Sequence, residues 1–203
     1  MIHFRLYFVT DRKQTAGRSL VDVVHAALDG GVHAVQLREK DLEGGELYRL
    51  ASALRTLTAR YHACLLINDR IDVALAVEAD GVHLGQTSFP VAVARQLLGP
   101  AKLIGVSTHS VAEIQAAAGA DFLLFGPVYF TPSKAVYGEP QGVERLRQAV
   151  KQSPVPVIAI GGVKAAQIPE VLQAGAYGVG VITAISAASD PAHAARELLV
   201  RLG

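Results

Sequence analysis

The chain has 203 residues, 51% of them hydrophobic, with 19 glycines, no tryptophan and a formal net charge of +1. That length can bury roughly 70% of the unfolded surface, and near-neutrality gives no basic field, which argues against nucleic acid as a partner. The apolar runs near the N-terminus are broken by Arg5 and Thr10-Asp11-Arg12, so neither a signal peptide nor a membrane span is expected and the expected location is the cytoplasm.

Short apolar runs alternate with amphipathic ones along the whole chain. Residues 5–9 read as a first strand, and Ser19 is placed to cap a helix reaching residue 28, which Gly30-Gly31 ends. Strand two is residues 33–37. Residues 45–60 carry Leu47, Leu50, Ala51, Leu54 and Leu57 at helical spacing. Strand three is 64–67; the single cysteine, Cys64, has no disulfide partner and is expected to be a buried thiol. A short helix over 71–77 leads to strand four at 81–84, and Pro90 suits the first turn of a helix over 90–98. Strand five (103–106), a helix (110–118), strand six (121–125), a long loop (126–140) and a helix (141–150) follow. Strand seven is 155–160, then a helix over 165–173, strand eight at 178–182 and a last helix over 190–202. Eight strands and eight helices in strict alternation, with no linker and a weak helix-end-to-strand repeat, predict a single-domain α/β fold over 1–203, a (β/α)8 TIM barrel. A doubly wound open sheet is the alternative, and eight near-equal units favour closure.

Barrel chemistry sits where strands end, and polar residues gather there. Strand two runs through Gln36 and Leu37 into Arg38, Glu39 and Lys40. Alternation puts Gln36, Arg38 and Lys40 on one face and Glu39 on the other. Two cations beside an amide suit a phosphate or diphosphate; a salt-bridged strand end is the plain alternative. Asn68-Asp69 ends strand three, where the carboxylate either holds Mg²⁺ beside a diphosphate or caps the next helix. Ser107-Thr108-His109 ends strand five. Gly161-Gly162 and Ile182-Thr183 follow strands seven and eight, where barrels often bind phosphate, although two glycines also make a tight turn. Thr131, Pro132, Ser133 and Lys134 lie on the long loop, and such loops usually carry function. His83 alternates within strand four, as expected of a packed or hydrogen-bonded residue. The strand starts at the opposite rim read mostly as Gly, Ala and Pro. No catalytic triad and no zinc-ligand spacing is readable.

Together, Gln36-Leu37-Arg38-Glu39-Lys40, Ile67-Asn68-Asp69-Arg70, Gly81-Val82-His83-Leu84-Gly85-Gln86, Gly105-Val106-Ser107-Thr108-His109, Gly126-Pro127-Val128, Thr131-Pro132-Ser133-Lys134 and Ile160-Gly161-Gly162 resemble the thiamine-phosphate synthase family over nearly the whole chain. The resemblance implies joining a hydroxymethylpyrimidine diphosphate to a thiazole phosphate in thiamine biosynthesis, with diphosphate released. It implies that Gln36, Leu37, Arg38, Glu39, Lys40, Asn68, Ser107 and Lys134 hold the pyrimidine diphosphate, with Arg38, Lys40, Ser107 and Lys134 catalytic. Thr131, Pro132, Ser133, Gly162, Ile182 and Thr183 would hold the thiazole phosphate, and Asp69, with the residue at position 88, Mg²⁺. Two departures stand out. Thr87-Ser88 replaces the usual Glu-Asp, so a hydroxyl stands where the second carboxylate ligand would be. The 137–142 segment looks more like the TenI-like thiazole tautomerase branch, yet that branch's histidine is replaced by Pro127, and the diphosphate cations it lacks are present. A tautomerase and a non-catalytic phosphate-binding barrel are the competing readings. The resemblance implies small phosphorylated substrates as partners and leaves a homodimer open.

Overall fold

The computed structural model describes residues 2–131 and 139–203. Strand β1 (Leu6–Val9) leads to helix α1 (Leu20–Asp29), β2 (Ala34–Leu37) to α2 (Gly44–Arg60), β3 (Cys64–Asn68) to α3 (Ile71–Ala76) and β4 (Gly81–Leu84) to α4 (Val91–Leu98). Then come β5 (Leu103–Thr108), α5 (Val111–Ala116), β6 (Phe122–Phe125) and α6 (Gly142–Gln152). The chain ends with β7 (Val157–Ile160), α7 (Ile168–Gln173), β8 (Gly178–Val181), α8 (Thr183–Ser186) and α9 (Pro191–Leu202). All strands are parallel, each pairs with the next in chain order, and β8 closes on β1. The molecule is therefore a closed (β/α)8 barrel, and the open sheet is set aside. No helix among the described residues is long and apolar enough to cross a membrane.

Alternation along each strand builds two cores. Leu6 and Phe8 of β1 face the helices and join the large outer core with residues such as Val24, Leu54 and Ile168. Tyr7 and Val9 face inward and join Phe4, Ala34, Leu66, Phe122, Leu124 and Ile158. Burying each large apolar side chain contributes about 1.5–3 kcal/mol, so helix layer and barrel axis are separately stabilised. Inside, Phe122 meets Phe4 and Tyr7 edge-on at ring separations of 5.4 Å. A Cβ at Gly105 would fall 2.4 Å from Phe122 and 2.5 Å from His83 Nδ1, so this position is glycine because two rings occupy the space.

Several boundaries differ from the sequence reading. β5 runs on through Ser107 and Thr108, which pair with Leu124 and Phe125 of β6, so polarity there does not end the strand. A four-residue helix, α8, stands before α9; it is too short to show a period. Cys64 is only partly buried, although burial raises its thiol pKa. The rim at the strand starts is also not merely Gly, Ala and Pro. Asp80 accepts from Leu65 N at 2.8 Å and pairs with Arg55 of α2 at 2.8 Å. Asp121 likewise accepts from Ile104 N at 2.7 Å and pairs with Arg95 of α4 at 2.7 Å.

Two expectations follow. Asp80→Ala strands the Leu65 amide and the Arg55 guanidinium, and should lower the unfolding free energy by about 1–3 kcal/mol in urea titrations. His83 is 1% exposed, and burial lowers its pKa from 6.5 to about 3. Between those values the unfolded chain takes up a proton that the fold refuses, so stability falls as pH drops through that window. In His83→Gln the acid slope of stability from pH 6.5 down to 3 should be shallower than in the wild type.

Candidate active site

Parallel closure carries the C-terminal ends of all eight strands to one mouth. Arg38 beyond β2 and Gly161-Gly162 beyond β7 therefore open on the same side, as do Asn68-Asp69, Ser88, Ser107, Thr131, Ile182 and Thr183. Pro132, Ser133 and Lys134, like Tyr137 and Gly138, lie outside the described residues.

The positive side chains at the mouth fall into two sorts. Arg12 is consumed by the protein, since its guanidinium pairs with Glu39 at 3.2 Å and with Asp41 at 2.5 Å. Hydrogen bonding from Arg12, then Lys13, holds the Asp41 carboxyl well below the usual carboxylate range. Arg38, half-buried, and Lys40, exposed, have no ion-pair partner among the described residues. A salt-bridged strand end does form here, through Glu39 and Asp41 with Arg12 and Lys13, but it leaves Arg38 and Lys40 out.

Glu39 explains how Arg38 is held. It is 5% exposed, and its carboxylate accepts from Thr10 Oγ1 at 2.7 Å and from Arg12 N at 3.1 Å. Thr10 Oγ1 in turn accepts from Arg38 N at 2.9 Å. The resemblance puts Glu39 on the substrate; in the structure its carboxylate is turned to the helix side, where it ties the end of β1 to the end of β2. Leu37 is buried in the outer core. Leu37, Glu39 and Lys40, with Asn68, Asp69 and Arg70, line a cleft of about 210 Å³. A larger hollow of about 670 Å³ lies at the opposite rim, around Arg5, Pro156 and Tyr177.

Asp69 does not cap α3. Its backbone takes a left-handed φ of 59°, which aspartate tolerates better than most residues. Its carboxylate faces the end of β4 instead, accepting from Asn68 Nδ2 at 2.9 Å, Gly85 N at 3.3 Å and the Ser88 hydroxyl. The two positions expected to hold a metal thus touch. One carboxylate, one hydroxyl and a neighbouring amide are hard oxygen donors of the kind Mg²⁺ takes when substrate phosphate supplies the rest. No cluster of three His, Cys, Asp or Glu side chains fit for a metal occurs among the described residues.

Across the mouth, Gly161 and Gly162 take φ of 94° and 67°. A Cβ on either would strike the loop after β6, at 2.5 Å from Pro127 and 2.6 Å from the Phe130 carbonyl. Tight packing against that loop is thus one cause of the pair. The Gly162 and Val163 amides donate to no backbone acceptor among the described residues, which leaves them available to an anion. Ile182 flanks the start of α8 and leans on the inner core, while Thr183 is exposed at its first turn. Arg18 secures this corner by donating to the carbonyls of Ser186 at 3.0 Å, Ala188 at 2.6 Å and Ser189 at 3.2 Å. The base of the long loop is also fixed: Gln141 N donates to Pro127 O at 2.7 Å and Tyr129 N to Gly161 O at 2.9 Å. Thr131, partly buried, stands at the edge of the described loop.

Gln36 is not at the surface of the mouth. It is 1% exposed and donates to the Tyr7 hydroxyl at 3.1 Å. Ser107, partly buried, lies 3.0 Å from His83 Nε2, and Gln86 donates to the Ser107 carbonyl. Sequence reading missed Tyr7, Glu39 as an anchor, and Arg18. For Tyr7 the signal is its phase with Val9, which places it inside the barrel.

A family model described as "Thiamine monophosphate synthase" matches residues 6–185. A "Putative thiamine-phosphate synthase" of Geobacter sulfurreducens is 57% identical, covering 99% of this chain and 95% of the relative. A "Thiamine-phosphate synthase" of Roseiflexus castenholzii is 44% identical over 95% of this chain and 86% of its own. The solved thiamine phosphate pyrophosphorylase from Pyrococcus furiosus superposes with a TM-score of 0.88 at 39% identity, covering 98% of this chain and 95% of that one. A 3-hexulose-6-phosphate synthase, at 21% identity and a TM-score of 0.68, shares the fold alone. With relatives this similar along almost its whole length, the chain belongs to the thiamine monophosphate synthase family.

Proposed function

We propose that this protein joins a 4-amino-5-hydroxymethylpyrimidine diphosphate to a thiazole phosphate, making thiamine phosphate and diphosphate in thiamine biosynthesis. The observation that carries this reading is Arg38 and Lys40, without counter-anions among the described residues, on the same mouth as the Gly162 and Val163 amides, which donate to no backbone acceptor among the described residues. Two anionic ligands, one on each side, suit that arrangement.

The C–O bond between the pyrimidine's exocyclic carbon and the diphosphate breaks, and the diphosphate leaves with the electron pair. Negative charge builds on the leaving oxygens, where Arg38 and Lys40 stabilise it. Positive charge builds on the benzylic-type carbon and spreads into the aminopyrimidine ring. The thiazole nitrogen then donates its lone pair to form the C–N bond. No protein nucleophile is needed. Ser107 donates to the pyrimidine substrate, Asn68 flanks its diphosphate, and Ile182 and Thr183 contribute to the thiazole-phosphate side. Thr131, Pro132, Ser133 and Lys134 complete the two subsites by resemblance. Asp69 and Ser88 would hold Mg²⁺ with the diphosphate oxygens; that ion, when bound, offsets the leaving group's charge. The setting for this chemistry is the cytoplasm.

Arg38→Ala should lower diphosphate release, measured with both substrates, by about a hundredfold or more while the far-UV spectrum is unchanged. Wild-type-like turnover would end the transferase reading. Ser88 leaves the metal a single carboxylate, and this favours a second reading, a phosphate-binding barrel without turnover. Ser88→Asp should therefore reduce the Mg²⁺ concentration for half-maximal activity by roughly tenfold. A preparation with no Mg²⁺ response in either form and no diphosphate release supports the second reading.

A further inference from the structure

At the end of β6 the sheet runs out of backbone donors, and a side chain supplies one. Gly126 N still donates to Thr108 O at 3.3 Å, the next rung of the β5–β6 ladder. The rung after that needs an N–H from beyond Thr108, where the chain turns into α5. There the His109 amide donates to Glu113 Oε2 at 2.7 Å, and Ser110 caps the helix by accepting from Glu113 N at 3.3 Å. The Gly126 carbonyl accepts from no backbone N–H among the described residues. It accepts instead from Nδ1 of the half-buried His109 imidazole. A carbonyl only accepts, so Nδ1 carries the ring proton.

The other side of Gly126 faces the end of β7. A Cβ on Gly126 would strike the Ile160 carbonyl, and one on Gly161 would fall 2.5 Å from Pro127. Val128 N donates to Ile160 O and Tyr129 N to Gly161 O, each at 2.9 Å. Gly161 and Gly162 have no side chains to lock their own turn, and glycine is the residue with the most backbone freedom. The wall formed by residues 126–130 is therefore what gives the Gly162 and Val163 amides their direction. His109 braces that wall from the side of β5, through Gly126 and Pro127 to Gly161.

We propose that His109 is a positioning residue for the phosphate of the thiazole substrate, acting through Gly126 rather than on the anion itself. Its bond holds the Gly126-Pro127 peptide against Gly161, so that the Gly162 and Val163 amides are arranged before a phosphate arrives. Without the brace those amides must be ordered on binding, and the cost falls on affinity. The inference rests on the thiazole-phosphate reading above and adds to it the side chain that arranges the donors.

The test turns on one atom. Asn Nδ2 stands as far along its side chain as His Nδ1 and also donates, whereas Asp places an acceptor there, facing the carbonyl. Inorganic phosphate is titrated into ¹⁵N-labelled protein while the Gly162 and Val163 amide signals are followed. Affinity should fall about fivefold or more in His109→Ala, return to within about twofold of wild type in His109→Asn, and stay low in His109→Asp. With both substrates, His109→Ala should raise KM for the thiazole phosphate and leave KM for the pyrimidine diphosphate unchanged. Undiminished phosphate affinity in His109→Ala, no recovery in a folded His109→Asn protein, or an equal rise in both KM values overturns the proposal. So does phosphate that leaves those two amide signals of the wild type unmoved. If the wild type binds phosphate there yet releases no diphosphate from its substrates, the transferase reading fails alone, and the phosphate titration still decides the role of His109.

Discussion

How little room a closed eight-stranded barrel has inside governs the rest of this molecule. Every inward side chain competes with those from seven other strands, so the axis is filled in steps. Phe4, Tyr7 and Phe122 fill the lower part with rings in mutual contact. Gly105 on β5 and Gly180 on β8 yield their volume to neighbours that a Cβ would hit within 3 Å. What remains above is a narrow upper layer, and there Gln36, His83 and Ser107 replace hydrocarbons. Function begins where the rings stop.

Charge at the mouth is organised by the same economy. Glu39 is the buried carboxylate that absorbs Arg12 and, through Thr10, fixes the backbone of Arg38. Were Glu39 to face the opening instead, it would neutralise the cations a diphosphate needs. Turned to the helix side, it lets Arg38 and Lys40 present a field already arranged before any anion arrives, so little reorganisation is needed on binding. The opposite side of the mouth uses backbone donors held rigid by the loop after β6, with Gly161 and Gly162 packed too closely for any larger residue.

Much of this was legible in the sequence, because parallel strands buried on both faces read as unbroken apolar runs and helices as a 3.6-residue period. Phe122–Phe125 and Val157–Ile160 are strands by that reading and in the fold. Where the reading stopped short, polarity misled. Ser107 and Thr108 continue β5 although hydropathy ends at Val106, since one meets His83 inside the barrel and the other is shut beneath the helices. Asp69 was open between capping and ligation because both use the same residue type at a strand end; the left-handed turn and the bond from Ser88 turn its carboxylate away from the cap position. Glu39 was placed on the correct face but its partner could not be seen, for Thr10 and Arg12 lie on another strand's end.

The paired carboxylates at the strand starts have a consequence for how such a barrel assembles. Asp80 binds Leu65 of the preceding strand and an arginine from the helix that leads into that strand, and Asp121 repeats this one (βα)₂ unit later with Ile104. Each therefore senses three pieces of chain at once. A strand docked one residue out of step would swing its carboxylate away from that amide and arginine, and turn apolar side chains the wrong way. These two acids therefore add to the cost of a shifted register at β4 and β6.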